Sequence, residues 1–393
     1  MNKKLFFESS LITILVFIVL WVFYLLISIS FEPFNYVVGS IKEIDLNDLY
    51  FSSLDNTNIE ENVIVINIED IDRYGINEVV SKVAEAGPSV IGLDVFFSHY
   101  KTTPWDSQLR NTLNDLGDKV VMVANYYEDG REDNSYWKLS NCTYGHAGVI
   151  TTKDKTGVVR EFEPSIGSDD MYSFASMLAS KYNSSSYDRL IERDNDKETI
   201  HYIGNIGAFR VINYRDILID DSNKLSLLND KIVILGFCGD STQQMVDFTD
   251  TYYTPVGASM SANRLPDMYG VMIHANITSM IINDRYISNV PNWIVYLLTF
   301  LITYFIVLIF TYLFLNQPIY FNVGSKLIQL LGLFLLLWIV FLLFSFFHLN
   351  FTTSFLIIAV IIAVDVLFLY EFLAILVYKN FKIKSLFIAD PKM

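Results

Sequence analysis

Residues 63–97 read VIVINIEDIDRYGINEVVSKVAEAGPSVIGLDVFF, and their pattern of apolar residues decides the fold. The continuous β-branched run at 63–68 is typical of a strand that is buried on both faces. A helical period follows, with apolar residues on one face at Ile76, Val79, Val80, Val83 and Ala84. Gly87-Pro88 ends that helix, and residues 90–97 form a second apolar strand.

The same alternation continues along the chain. Residues 105–116 repeat a helical period and residues 119–124 a strand, so β-α-β-α-β with short connections predicts a parallel sheet. The later predicted elements are a hairpin at 148–163 turned at 155–157, a helix at 173–181, an exposed polar loop at 184–198, a strand at 231–236 and a helix at 272–282. We therefore expect an α/β domain around a largely parallel sheet.

Four apolar runs flank this domain, one before it and three after it. They occupy residues 11–30, 292–315, 327–347 and 352–377, and each reaches the roughly 20 residues that cross a bilayer. The first run is longer than the apolar core of a cleaved signal peptide, and its end is a poor cleavage site. An uncleaved anchor is therefore favoured, and the sequence predicts four transmembrane α-helices.

Lysines set the predicted orientation. They lie in segment 1–10, between the second and third runs (Lys326) and in segment 378–393, whereas residues 348–351 carry none. Because basic residues concentrate on the cytoplasmic side, both ends should be cytoplasmic. Residues 31–290 should then form the extracytoplasmic domain.

Charge excludes one class of partner. Residues 31–290 contain 39 Asp and Glu against 21 Lys and Arg, a net charge of −18. Such a surface repels nucleic acid, so no nucleic-acid partner is expected. The bilayer itself is the first expected partner.

Signatures of catalysis are scarce. The segment 236–241 follows a strand but lacks the spacing and the lysine of a phosphate loop, and the five histidines have no metal-ligand spacing. We therefore expect a protein that is not an enzyme, with no cofactor and no metal site.

Aspartates at strand ends are the better candidates for a binding site. Asp70 ends the first strand, Asp94 ends the second, which is predicted to be its neighbour in the sheet, and Asp72 lies close by. Parallel sheets bind ligands at the carboxyl edge of their strands, so these carboxylates could bind a cation or a polar ligand. The alternative is structural, since Asp often caps turns and helices, and Asp94 lies in an apolar run where such bonding would satisfy it.

Five further extracytoplasmic residues are candidates for binding or for a disulfide. Arg160, in the predicted hairpin, could pair with Asp70 or Asp94, while Tyr252 and Tyr253 could line a pocket or simply pack. Cys142 and Cys238 would both be extracytoplasmic, where a disulfide is permitted, although Cys238 could instead be buried.

Two acidic residues lie within the fourth apolar run. Asp365 is near its middle, where a carboxylate must be paired, so it should face another helix of the bundle or of a partner. A hydrogen bond to Thr303, Thr311 or Ser345 is the simplest alternative. Glu371 is closer to the cytoplasmic end and could reach interfacial water or Lys379. The other runs are almost wholly apolar, which argues against a transporter.

Six segments in register resemble the type-2 CHASE domain, a bacterial extracytoplasmic sensor module. The residues that carry the likeness are VIVINIEDIDRYG, AGPSVIGLDVFFS, HAGVITTKDKTGVVREFEP, NYRDIL, LNDKIVILG and YYTPVG with YGVMIHANITSMII. One helix before and three after the domain is also the arrangement of that family. The resemblance implies a domain that detects an unidentified stimulus and passes it to a kinase, cyclase or similar output domain.

The chain departs from that family after its fourth apolar run, where only residues 378–393 follow. We therefore expect a sensor that detects a small ligand or an envelope component and acts through a separate membrane or cytoplasmic signalling protein. The alternative is a structural or scaffolding subunit of a membrane complex that does not signal. Either protein could form a homo-oligomer.

Overall fold

The computed structural model describes residues 3–28, 46–54, 59–97, 104–126, 132–133, 139–151, 157–166, 171–219, 221–239, 250–257 and 265–388. The chain divides into two compact units. A membrane unit comprises Met1–Asp45 and Ser288–Met393, and an α/β domain comprises Leu46–Ile287.

The helices are α1 Lys3–Ser28, α2 Leu46–Ser52, α3 Arg73–Glu85, α4 Pro104–Leu116, α5 Phe174–Tyr182, α6 Ser184–Glu192, α7 Tyr214–Leu218, α8 Ser222–Leu225, α9 Gly270–Ile282, α10 Asn292–Asn316, α11 Pro318–Phe347 and α12 Ser354–Phe381. The strands are β1 Glu60–Asn67, β2 Val90–Leu93, β3 Val120–Tyr126, β4 Glu132–Asp133, β5 Thr143–His146, β6 Val149–Thr151, β7 Val159–Phe162, β8 Ser165–Ile166, β9 Met171–Tyr172, β10 Glu198–Thr199, β11 Phe209–Asn213, β12 Ile232–Gly236, β13 Thr251–Tyr252, β14 Met268–Tyr269, β15 Ser288–Asn289 and β16 Leu349–Asn350.

The domain is built on a parallel sheet with the strand order β11-β1-β12-β2-β3-β5, to which the short β4 adds an antiparallel edge. The predicted parallel arrangement of β1, β2 and β3 is confirmed. The prediction that β1 and β2 are neighbours is wrong, because β12 inserts between them. β12 is buried at every residue, so it belongs in the middle of a sheet covered on both faces.

Helices cover both faces of the sheet. One face packs against α3, α4 and α7 through a core that includes Ile64, Ile66, Ile76, Val80, Leu93, Leu109, Leu113, Ile217 and Leu235. On the other face α9 packs against β1 and β12, and α5 against β2, β3 and β5. Because side chains alternate along a strand, each buried strand supplies both cores. The α/β fold class is confirmed.

Two smaller predictions have different outcomes. The hairpin exists as the antiparallel pair β6 and β7, while its predicted turn lies partly outside the described residues. The predicted loop at 184–198 is wrong, because residues 184–192 form α6. Only a narrow stripe of this helix is buried, at Ser186 and Leu190, so its sequence is polar enough to resemble a loop.

The membrane unit contains four helices long and apolar enough to cross a bilayer, one N-terminal and three C-terminal. The candidate spans are Lys3–Leu25, Asn292–Asn316, Gly324–Phe347 and Ser354–Phe381. Pairwise packing joins α1, α10 and α12, with a buried core of residues such as Ile12, Val16, Val307, Ala363 and Leu367. The chain is therefore a multi-pass membrane protein.

Two acidic side chains of the membrane unit, Asp365 and Glu8, find polar partners within it. The Lys326 ammonium donates to the Asp365 carboxylate at 2.8 Å, so the hydrogen bond proposed to a Thr or Ser is replaced by an ion pair. Lys326 lies inside α11 rather than in a loop, whereas Glu371 lies on α12 and is partly buried. Near the start of α1, the buried Glu8 carboxylate accepts from the Leu386 N–H at 2.8 Å and the Ser385 hydroxyl at 2.6 Å.

Candidate functional site at the carboxyl edge of the sheet

The candidate site lies where the chain leaves the sheet in opposite directions. After β1 and β2 the chain continues to α3 and α4, which pack on one face. After β12, the strand between them, it continues to α9 on the other face. Such a reversal opens a crevice outside the carboxyl ends of parallel strands, where ligands of this fold class bind.

Asn67, the last residue of β1, joins two of these strand ends. Its amide Nδ2 donates to the Gly239 carbonyl at 2.8 Å, and its Oδ1 accepts from the N–H of Cys238 at 2.9 Å. The same Oδ1 accepts from the N–H of Glu69 at 3.1 Å. One buried side chain therefore holds the exit turn of β12 against the end of β1.

Asp94 follows β2 at this edge, as predicted. Its N–H donates to the Leu235 carbonyl at 2.9 Å, which extends the ladder to β12. Within the described residues its carboxylate makes no hydrogen bond or ion pair, so the predicted capping role is not seen. Burial raises the pKa of Asp94 to about 7.

Asp250 brings a second carboxylate to the same place. Its side chain lies against the start of α9, where a Cβ on Gly270 would stand 2.7 Å from Oδ2, so a larger residue at this position would displace the carboxylate. The Tyr252 hydroxyl hydrogen-bonds the Asp250 carboxylate. Burial, and then the nearby charge of Asp94, raise the pKa of Asp250 to about 6.

Two histidines lie behind the carboxylates. His274, one turn into α9 and only 6% exposed, interacts electrostatically with Asp250. Its Nδ1 is buried and has no hydrogen-bond partner within the described part of the chain. His146, at the end of β5, interacts with His274, and burial lowers the pKa of both to about 4. Both imidazoles are therefore neutral near pH 7.

The two cysteines are free, so the possible disulfide does not form. Cys142 is buried, and its thiol donates to the Leu113 carbonyl at 3.3 Å. Cys238 lies in the exit turn of β12, where burial, followed by the charges of Asp94 and Asp250, raises the pKa of its thiol. A thiol kept protonated in this way is a weak nucleophile and a poor metal ligand.

We refer to Asp94, Cys238, Asp250, Tyr252 and His274 as the carboxyl-edge cluster. Aromatic rings adjoin it. Phe237 meets Tyr269 edge to face, with ring centroids 5.7 Å apart. Gly239, at φ +87°, lies so close to Tyr269 that an added Cβ would stand 3.1 Å from its Cζ. Gly236, which precedes Phe237, lies against Asp94, and Gly270, which follows Tyr269, lies against Asp250. We call this ring pair the aromatic wall.

Two of the predicted ligand residues lie outside this cluster. Asp72 is the N-cap of α3, and its carboxylate accepts from the Gly75 N–H at 2.9 Å, which is the structural alternative. Asp70 is exposed in the turn before α3. The insertion of β12 separates the ends of β1 and β2 by two strand spacings, about 10 Å, so the three aspartates do not form one site.

The remaining candidates separate in the same way. Arg160 forms a two-pronged ion pair with Asp48 of α2, with nitrogen to oxygen distances of 2.7 and 3.1 Å, rather than the pair expected with Asp70 or Asp94. The Tyr253 carbonyl accepts from the Val159 N–H at 2.8 Å, so its backbone extends β7. Of the two tyrosines, only Tyr252 belongs to the cluster.

The sequence prediction missed Asp250, His274 and Asn67. Asp250 precedes the YYTPVG segment, and His274 follows it on an apolar helical pattern typical of a packed histidine. Neither lies at the end of a sheet strand, which was the signal that identified Asp94. Asn67 does end a strand and could have been found by that criterion.

Comparison with known proteins identifies one family. The model of the CHASE2 domain matches residues 20–314, about three quarters of the chain. The match covers the whole α/β domain and reaches into α1 and α10. No curated protein and no solved structure matches the chain.

Proposed function

Because the chain belongs to the CHASE2 domain family, whose domains are sensors, we propose that it detects a ligand at the carboxyl-edge cluster and transmits its binding along α9. One observation carries this proposal. The helix that begins against Asp250 and bears His274 ends only nine residues before α10 enters the membrane.

The far end of α9 is well placed to transmit a displacement. The buried Glu60 carboxylate, at the start of β1, accepts from the Ser279 hydroxyl at 2.5 Å and from the Asn283 amide at 3.1 Å. Both ends of the helix are thus held by carboxylates, by Asp250 at its beginning and by Glu60, on β1 of the sheet, at its end. A ligand that displaces the first turn of α9 would therefore strain the hydrogen bonds between Glu60 and the end of the helix.

We propose that output passes through a separate protein that binds the membrane unit. The support is the surface of α11, of which 11% is buried within the unit, against 39% for α1 and α12. A helix so little covered offers an apolar surface to lipid or to a partner helix.

A cellular experiment separates sensing from scaffolding. We compare the transcript profiles of strains that carry the wild-type protein, a deletion, Asp94→Asn or Asp250→Asn, after checking that each variant reaches the membrane. Sensing predicts that both variants resemble the deletion. If both resemble the wild type while the deletion differs, the protein acts by its presence, and the structural or scaffolding alternative replaces ours.

We further propose that the protein lies in a bacterial inner membrane with both ends in the cytoplasm and the domain in the periplasm. Lys3, Lys4, Lys379, Lys382 and Lys384 support this orientation. The bonds from Ser385 and Leu386 to Glu8 bring the beginning of α1 and the segment after α12 to the same end of the unit.

Cysteine labelling tests the orientation. In a chain without its two natural cysteines, Asn2→Cys, Gly130→Cys and Asp390→Cys are exposed in turn to an impermeant reagent applied to intact cells with a permeable outer envelope. Only Gly130→Cys should react. Reaction of Asp390→Cys would overturn the orientation.

A further inference from the structure

The two carboxylates of the carboxyl-edge cluster have no positively charged partner in the described structure. Neither Asp94 nor Asp250 forms an ion pair there, and no Lys or Arg lowers the pKa of either group. Asp250 receives only the Tyr252 hydroxyl and the Gly270 N–H. Among the described residues, no Lys or Arg neutralises the negative charge of this site.

That electrostatic arrangement selects the sign of a ligand. Two nearby carboxylates repel an anion and are stabilised by a cation. The stabilisation is large here because burial raises the pKa of both groups, and the charge of Asp94 raises that of Asp250 further. The neutral His274 does not compete for this role. Its Nδ1 is buried and without a partner among the described residues, and the imidazole interacts electrostatically with Asp250.

The surrounding groups favour an organic cation over a metal ion. No set of three or more His, Cys, Asp and Glu side chains with metal-binding geometry occurs among the described residues. Phe237 and Tyr269 instead directly neighbour in sequence the two glycines that lie against Asp94 and Asp250, and aromatic faces attract ammonium groups. Carboxylates combined with aromatic rings form the usual protein environment of an alkylammonium ligand.

We propose that the carboxyl-edge cluster binds a small organic cation, an ammonium group on a short alkyl chain, between Asp94 and Asp250. The ammonium group donates hydrogen bonds to the two carboxylates, and its alkyl part contacts the aromatic wall of Phe237 and Tyr269. The inference rests on the proposed function, because it names the ligand class of the same site.

A charge-matched series of probes tests it on the full chain in lipid nanodiscs. Ammonium, n-butylammonium, tetramethylammonium and spermidine are compared with n-butanol and butyrate by isothermal titration and by the midpoint of thermal unfolding. At least one amine should bind and raise the midpoint, whereas n-butanol and butyrate should not. Asp94→Asn and Asp250→Asn should each weaken that binding about tenfold or more, a loss of about 1.4 kcal/mol.

Asp70→Asn is the matched control, because it removes the same charge from the same edge of the sheet without touching the cluster. It should leave the affinity unchanged. The unfolding midpoint of each variant shows whether it is folded, and the two cluster variants provide independent readings.

Other outcomes overturn the inference in ways that separate it from the proposed function. If none of the amines binds, the ligand is not an organic cation. The same conclusion follows if Mg²⁺, Ca²⁺, n-butanol or butyrate binds to the wild type and no longer binds to Asp94→Asn. If one of these other probes binds, the cluster still binds a ligand, and the proposed sensing function is retained. If the cluster variants change neither binding nor the cellular transcript profile, both proposals fail.

Discussion

Carboxylates occur in two different settings in the α/β domain, at its periphery and at the carboxyl edge of its sheet. At the periphery three carboxylates pair with an arginine: Asp106 pairs with Arg73, Asp48 with Arg160, and Glu198 with Arg193 at 2.5 Å. Asp94 and Asp250 have no such partner in the described structure. The comparison teaches that these three carboxylates are neutralised within the fold, whereas no described residue neutralises Asp94 or Asp250.

Breaking a peripheral pair should have the largest effect. Arg73→Ala would leave Asp106, which is fully buried, without its guanidinium, and would remove the cation–π contact of Arg73 with Phe97. We expect a loss of about 3–5 kcal/mol in the free energy of unfolding, measured by denaturant titration in detergent.

The pair of Arg189 and Asp284 provides the control. Both side chains are more than two fifths exposed, so Arg189→Ala should cost less than about 1 kcal/mol. Equal losses in the two variants would mean that burial does not distinguish these pairs.

Removing an unpaired carboxylate should raise the free energy of unfolding, whereas breaking a peripheral pair lowers it. The folded protein holds the proton of Asp94 more tightly than the unfolded chain, because its pKa is raised from 3.8 to about 7. Its contribution to stability is therefore complete below about pH 4 and is lost as the pH rises through about 7. Asp94→Asn should stabilise the protein by about 2 kcal/mol at pH 8 and hardly at all near pH 4.

Thermal unfolding across this pH range measures the effect. Asp250→Asn should act in the same direction at a slightly lower pH, since the pKa of Asp250 is raised to about 6. A destabilised Asp94→Asn at pH 8 would mean that the carboxylate supports the fold as those of the periphery do.

Asp72 should give a smaller and purely structural effect. As the N-cap of α3 it satisfies the Gly75 N–H, so Asp72→Ala should lose about 1 kcal/mol in the free energy of unfolding. Asp72→Ser, which retains a capping oxygen, should recover most of it. Any change in amine affinity in Asp72→Ala would place this residue within the ligand site after all.

The ion pair in the membrane unit should have the smallest effect on stability and a larger one on assembly. Asp365→Leu leaves the Lys326 ammonium unpaired, at a cost of about 1 kcal/mol, and should alter the oligomer or the copurification of a partner. The double variant Lys326→Leu with Asp365→Leu should restore assembly if pairing alone matters. Wild-type behaviour of the single variant would show that neither assembly nor coupling depends on Asp365.

The fold was predictable wherever the pattern was local. The β-branched runs of β1, β2 and β3 and the apolar faces of α3 and α4 identify themselves over a few residues. The position of β12 in the sheet was not predictable, because strand order depends on contacts between segments more than 130 residues apart. Because of that error the prediction placed Asp70 and Asp94 side by side, although β12 lies between the strands that they follow, β1 and β2.

The site was predictable only in part, for the same reason. Asp94 was identified because it ends a sheet strand, but Asp250 and His274 reach it from a later part of the chain. The partner of Arg160 was equally inaccessible, since Asp48 lies 112 residues away in a short helix that the sequence analysis did not assign. Local patterns identify elements, whereas the pairing of charges is a property of the assembled fold.

The bond between Glu8 and Leu386 has a consequence for biosynthesis. Leu386 leaves the ribosome 378 residues after Glu8, when α1 has long since reached the membrane. Throughout that interval the carboxylate must remain hydrated or protonated, and the first span cannot settle into its final position. A later part of the chain therefore completes the surroundings of an earlier one, and a chain whose synthesis stops before Ser385 lacks both groups that donate to the Glu8 carboxylate.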